Sequence, residues 1–172
     1  MRRTSYAGMD CSIAAALDLV GESWTLLILR DAMYGVRRFD DFQGNLGIAR
    51  NVLTLRLRRL VEAGIFRRVP YQQHPLRYEY RLTDKGAALF PVIVGLKEWG
   101  DRFRDGAGEG RPMELVDRLS GNKVQPVLID AGSGHKLDLT SVQAVAGSGA
   151  SEETRTFFSR LEYARSHRKR VK

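Results

Sequence analysis

The chain has 172 residues, 43% of them apolar, enough for one globular domain with a small appendage, and its apolar runs fall short of the ~20 residues a bilayer helix requires, so a soluble, cytoplasmic protein without membrane contact is expected. A single cysteine, Cys11, excludes an intrachain disulfide and, beside three scattered histidines, gives no zinc-spaced cluster, so no metal and no cofactor are expected. The net charge of +8 is unevenly placed: from Arg50 to Arg81 eight arginines face only Glu62 and Glu79, which concentrates positive potential where a polyanion would feel it.

In chain order, residues 11–20 place Ile13, Ala16, Leu17 and Val20 on one side at helical spacing, and Gly21 stops the helix. Ser23 is the expected N-cap of a second helix in which Trp24, Leu27 and Ile28 predict burial nearly all round, ending at Gly35. Phe39 and Phe42 predict a short third helix closed by Gly44, with 44–47 as the turn. The next helix, 49–63, turns Val52, Leu53, Leu57, Leu60 and Val61 inward, and Arg50, Asn51, Thr54, Leu55 and Arg58 share the opposite face. Those residue types suit major-groove edges: arginine pairs with guanine, asparagine with adenine, and an apolar side chain meets the thymine methyl.

After Gly64, residues 65–71 and 76–82 read as a hairpin around QQHP, whose tip carries Gln72, Gln73, His74 and Arg77 within reach of phosphates or a minor groove. Thr83 then caps a helix expected over 84–103, which Pro91 bends or resets. Its stripe of Leu89, Ile93, Leu96, Trp99, Gly100 and Phe103 is in excess of what the earlier helices need and is expected to pack on a second subunit.

Residues 106–112 read as a linker. Beyond it, 113–119 and 124–130 are expected as strands around Gly121 and Asn122, with 136–139 and 142–146 adding two more; Pro126 confines the second strand to an edge. Ser151, Glu152 and Glu153 start a last helix carrying Phe157, Phe158 and Leu161, and Arg165, Arg168, Lys169, Arg170 and Lys172 form a basic, solvated tail. No internal repeat and no catalytic constellation is recognised, so an enzyme is not expected. The resulting plan is mainly α (α+β): a winged helix-turn-helix with dimerisation helices over 1–105, the linker 106–112, a small β-rich appendage over 113–164, and the tail 165–172.

Four stretches, CSIAAALDLVGESWTLLILR, RRFDDF, GIARNVLTLRLRRLVEAGI and YEYRLTDKG, resemble at their separations the HxlR-type family of bacterial winged helix-turn-helix regulators in the MarR-like superfamily. The resemblance implies a homodimer formed by the first and last helices of the domain, with Ile13, Leu17, Leu89, Ile93, Leu96, Trp99 and Phe103 at the seam. It implies helix 49–63 in the major groove and the wing beside it, and passes the base- or phosphate-contacting role to Arg50, Asn51, Thr54 and Arg58. Leu55 departs from the polar residue of many relatives; Arg37 and Arg38, of the RRFDDF stretch, Gln73, His74 and Arg77 complete the expected DNA-binding set. Longer relatives carry C-terminal extensions in which cysteines suggest a zinc ribbon; this chain has no cysteine after Cys11, so its extension must hold by packing alone.

The function expected is a sequence-specific regulator of double-stranded DNA at an inverted-repeat operator, repressing a neighbouring gene. The alternative is a sensor whose output is DNA release, with the input either at Cys11, where some relatives carry a reactive thiol, or at a dimer-interface pocket for a small effector that Trp24, Tyr34 and Trp99 could line.

Overall fold

A computed structural model describes residues 5–105 and 110–168; residues 106–109 of the expected linker and 169–172 of the expected tail lie outside the described residues. The helical spacing of the first half is realised as α1 (Ser12–Val20), α2 (Thr25–Met33), α3 (Phe39–Leu46) and α4 (Arg50–Glu62). A hairpin of β1 (Phe66–Gln73) and β2 (Leu76–Leu82) follows, then α5 (Asp84–Ala87), α6 (Phe90–Phe103) and finally α7 (Glu152–Arg168). The chain divides into one unit of residues 16–126 and another formed by the N-terminal 15 residues with those from 127 onward, so residues 113–126 go with the helix-turn-helix part. No single helix among the described residues is long and apolar enough to cross a membrane.

In the first unit, Leu53, Leu57 and Leu60 recur on one stripe of α4 and meet Ile28 and Leu29 of α2, Phe42 of α3 and Phe66 of β1 in one buried core. The Phe66 ring sits 6.4 Å from both Phe42 and Tyr80, tilted to the first and edge-on to the second, geometries that favour aromatic pairs. Each such side chain contributes about 1.5–3 kcal/mol when fully buried.

Several boundaries differ from the sequence expectation. Ser23 does not cap α2: Trp24, in the left-handed region at φ 74°, precedes the helix without a side-chain cap, and the Ser23 carbonyl instead accepts from Arg56 Nε at 3.0 Å. Nor is α2 buried all round; Thr25, Ile28, Leu29 and Asp31 face inward while Leu27 is exposed. Helix α3 continues through Gly44 to Leu46, because a glycine in a helix interior costs only ~1 kcal/mol, and the turn is made at Gly47, whose φ of 61° suits a residue without Cβ. The hairpin's first strand reaches Gln73, beyond the expected 71. The single helix expected over 84–103 is two. Thr83 Oγ1 accepts from the Gly86 N–H and caps only α5, and α6 restarts with Pro91 in its first turn, where no backbone donor is needed.

The strands expected after residue 112 do not form a sheet. They are reduced to isolated bridges, Val116 with Lys123 and Ile129 with Lys136. The reason is a repeat that the sequence reading missed: LVDRLSGNKV at 115–124 recurs as LIDAGSGHKL at 128–137. Each copy closes on itself, Val124 N donating to Leu115 O and Leu137 N to Leu128 O, both at 2.8 Å. Within each turn an aspartate binds the serine three residues on. Asp117 Oδ1 accepts from Ser120 N and Oγ at 2.8 and 2.9 Å, and Asp130 Oδ2 from Ser133 N and Oγ at 2.8 and 2.6 Å. These aspartates draw the chain into tight turns rather than long ladders.

The same bonds, from the Ser120 backbone first for Asp117 and from the Ser133 hydroxyl first for Asp130, hold both carboxyls below the ordinary aspartate value of 3.8. A depressed folded pKa gives stability that is complete above the unfolded value and is lost as pH falls through the folded one. The two turns should therefore survive at pH 4 and open only below it. Amide NMR shifts of Ser120 and Ser133 titrating at or above the ordinary aspartate value would contradict this.

In the second unit, α7 is capped twice. Ser151 Oγ accepts from Thr154 N at 3.2 Å, while Asp10 Oδ2 accepts from Ser151 N at 2.7 Å and from Thr154 Oγ1 at 2.8 Å. Residues 165–168, expected in a solvated tail, are the last turn of this helix.

Candidate nucleic-acid interface

The turn at Gly47 is anchored by buried Ile48, which fixes where α4 leaves the core, and the three leucines of α4 then fix its rotation. The opposite side consequently faces solvent. There Arg50, Asn51, Thr54, Leu55 and Arg58 line one shallow, open concavity, so the structure brings all five expected residues together; Leu55 is half-buried among the four exposed polar ones.

Each side chain has a defined starting position. The Arg50 guanidinium lies over the Phe39 ring at 5.0 Å, an arrangement that steadies a cation without neutralising it. Val52 N donates to Asn51 Oδ1 at 2.9 Å, leaving the two donors of the Asn51 amide as the part able to meet a base. Thr54 Oγ1 donates to Arg50 O at 2.8 Å and keeps its acceptor capacity. Arg58 Nε approaches Glu62 at 3.5 Å, but both side chains are mostly exposed, so the pair is weak and Arg58 remains available to a phosphate or base.

The wing stands next in the chain and presents Gln73, His74 and Arg77 as exposed residues about its turn. Arg38, at the head of α3, pairs with Glu79 of β2, and Tyr80 N donates to Arg37 O at 2.7 Å, so residues 37–38 add a short third edge to the hairpin. Arg38 also lies over Tyr71 at 4.4 Å and Arg68 over Tyr78 at 5.0 Å. The result is a basic ribbon in which rings orient the guanidinium groups. Glu79 is held below the ordinary glutamate range by its hydrogen bond from Arg81, so it stays charged and paired at neutral pH.

The profile of HxlR-like helix-turn-helix proteins matches residues 19–107. The chain belongs to this family. Among its relatives, the HTH-type transcriptional regulator Rv3095 of Mycobacterium tuberculosis is 48% identical over 138 residues, which span 80% of this chain and 87% of its own. Of the solved structures, the transcription factor PA1607 superposes with a TM-score of 0.75 at 40% identity, over 84% of this chain and 100% of that one. The redox regulator HypR in its oxidized form gives a TM-score of 0.52 at 36% identity, over 55% and 99%. The HxlR-like chain is thus a transcriptional regulator with a winged helix-turn-helix DNA-binding domain.

Not all of the HxlR-like domain's arginines face outward. Glu22 forms ion pairs with both Arg56 and Arg59, fastening the α1–α2 turn to the flank of α4. Two members of the basic surplus are therefore structural, which net charge alone could not reveal. Buried Asp31 was also missed. It accepts from Arg30 Nε and Nη2 at 2.9 and 2.7 Å and from Asn45 Nδ2 at 2.6 Å, tying α2 to the end of α3. An acid three residues beyond Ile28, on the same helical face, was the available signal.

Of the residues expected at a subunit seam, Ile93 is buried in the chain's own core and Leu89 packs against that core. Ile13, Leu17, Leu96, Trp99 and Phe103 are exposed, Ile13 and Trp99 to 72% and 66%. Of Trp24, Tyr34 and Trp99, Tyr34 lines a cavity beside α2, whereas Trp24 and Trp99 stand at the surface. Cys11 is exposed, just ahead of α1.

Proposed function

We propose that this HxlR-like regulator acts in the cytoplasm as a homodimer whose two α4 helices enter successive major grooves of an inverted-repeat operator and so repress a neighbouring gene. The observation that carries the reading is the single open strip formed by Arg50, Asn51, Thr54, Leu55 and Arg58, which joins cations, an amide and a methyl-binding side chain on one helical face. Large apolar residues exposed on α1 and α6 support the dimer, since Leu17, Leu96, Trp99 and Phe103 lose contact with water only against another surface. Within such a dimer the two strips meet one face of the duplex about 34 Å apart.

Hydroxyl-radical footprinting tests the operator geometry: two protected patches one helical turn apart are expected, and a single patch or continuous protection would oppose it. The dimer has its own test. Leu17→Asp with Trp99→Asp should halve the mass measured by sedimentation while the helical CD signal persists; an unchanged mass would place the subunit contact elsewhere or remove it.

A second reading adds redox sensing at Cys11, supported by its exposure and by the likeness to HypR. Two thiols, Cys11 with its counterpart on a second chain or with a small thiol, would lose two electrons and two protons to an oxidant such as a peroxide and form one disulfide. Operator affinity should then fall on oxidation in the wild type and hold in Cys11→Ser. An equal response in both removes the thiol from the mechanism.

A further inference from the structure

A cavity of about 490 Å³ lies beside α2 and α6 in the first unit, within the size range of small-molecule sites. Its walls are mainly apolar, with Leu26, Leu27, Ile93 and Leu96 from the two helices and Pro112 and Met113 crossing from the segment that follows α6. The charged groups that reach it are already matched. Arg30 is bound to buried Asp31, and Lys97 donates to Asp101 at 2.7 Å and to Glu98 at 3.1 Å.

Burial alone would push Lys97 down, but its bonds to Asp101 and Glu98 outweigh that and hold the ammonium above its ordinary range, so it stays charged and committed to these carboxylates. Burial raises Tyr34, which keeps its hydroxyl protonated and able to donate at neutral pH. A charged guest would have to break one of these pairs and leave its partner without a counter-charge, whereas a neutral one would not.

We propose that this cavity is an effector site for a neutral, ring-sized, mostly apolar organic molecule bearing a hydrogen-bond acceptor for Tyr34, and that its occupation weakens DNA binding through the Asp31–Asn45 link. The inference rests on the DNA-binding reading for its output but not for the site itself. Asp31 belongs to α2, which walls the cavity, and Asn45 to the last turn of α3, two residues before the Gly47 turn that sets the departure of α4. A guest that spreads α2 from α6 pulls on this bond and so on the angle at which α4 meets a groove. Occupied and empty forms then differ in operator affinity, and linkage requires DNA to weaken the guest by the same factor.

The probe is 6-propionyl-2-(dimethylamino)naphthalene, a neutral two-ring fluorophore whose ketone oxygen supplies the acceptor for Tyr34, titrated into the full chain. Saturable fluorescence with one site per chain is expected, and Leu27→Trp and Met113→Trp, which fill the cavity from its rim, should weaken it at least about tenfold with the CD melt and duplex affinity unchanged. At saturation the probe should lower wild-type duplex affinity about fivefold or more. Asn45→Ala, which also removes a side chain from the cavity wall, should still reach saturation, if at a higher probe concentration, yet lose that response. Absence of saturable binding overturns the proposal, as does binding that survives both tryptophan variants but is lost in Trp99→Ala on the exposed face of α6. Unchanged duplex affinity at probe saturation overturns the coupling. If the untreated protein binds no duplex at all, the DNA-binding reading fails instead, and the probe titration still judges the cavity.

Discussion

Gly86→Ala is expected to destabilise the helix-turn-helix unit by about 3 kcal/mol or more, at the upper end of what overpacking does, and to lower its melting temperature by roughly 10 °C. A Cβ at residue 86 would lie 2.3 Å from Ile65 O and 2.9 Å from Leu82 Cδ2, and the first of these is backbone that cannot swing aside. The neighbouring bonds leave no slack. Thr83 Oγ1 donates to Gly64 O at 2.6 Å, Thr83 N to Ile65 O at 3.0 Å and Lys85 Nζ to Ala63 O at 2.8 Å, suturing α5 to the junction of α4 and β1.

The contrast is Gly44→Ala. Nothing lies within 4 Å of that added Cβ, and the site is an exposed position inside α3, so a gain of roughly 0.5–1 kcal/mol is expected. Thermal CD on the two variants reads both signs. A Gly86→Ala protein that melts with the wild type would mean that the α5 suture is not tight.

Asn51→Ala and Arg50→Ala should each reduce discrimination between an operator and a scrambled duplex by about 1–3 kcal/mol, roughly 5- to 150-fold, because each removes a donor set suited to one base type. Arg77→Ala on the wing should behave differently: cognate and scrambled affinities fall together, and the dependence on salt loses about one phosphate contact. Anisotropy titrations of both duplexes over a range of salt separate the two patterns. Equal losses on cognate and scrambled DNA for Asn51→Ala would reassign that residue from reading to positioning.

Where a single rule governs, the sequence was sufficient. The core of α4 follows from Leu53, Leu57 and Leu60 at helical spacing, and the same periodicity places Arg50, Asn51, Thr54 and Arg58 outside it. The hairpin followed from Gly64 and the β-forming residues on either side of QQHP. Other features depend on tertiary partners that local pattern does not encode. Glu22 gives no local sign that it will hold Arg56 and Arg59, more than thirty residues away. The pairing of residues 37–38 with β2 is likewise nonlocal, and although its place on the Ile28 face marks Asp31 as inward, nothing nearby names its partner Asn45, fourteen residues on. After residue 112 the error was of another kind. β-forming residues suggested strands, but the recurring Asp-x-x-Ser-Gly turns take up the backbone, and comparing the chain with itself at an offset of 13 positions would have exposed them.

If the exposed face of α4 reads duplex DNA as one half of a symmetric pair, fragments selected from a random duplex library at physiological salt should share a sequence, because attraction to phosphates alone collapses as salt rises. Such pairing should enrich an inverted repeat with half-sites about one helical turn apart, lost from the selected pool when Arg50 and Asn51 are both replaced by alanine. A pool without shared sequence, or the same motif emerging from the double variant, would contradict it.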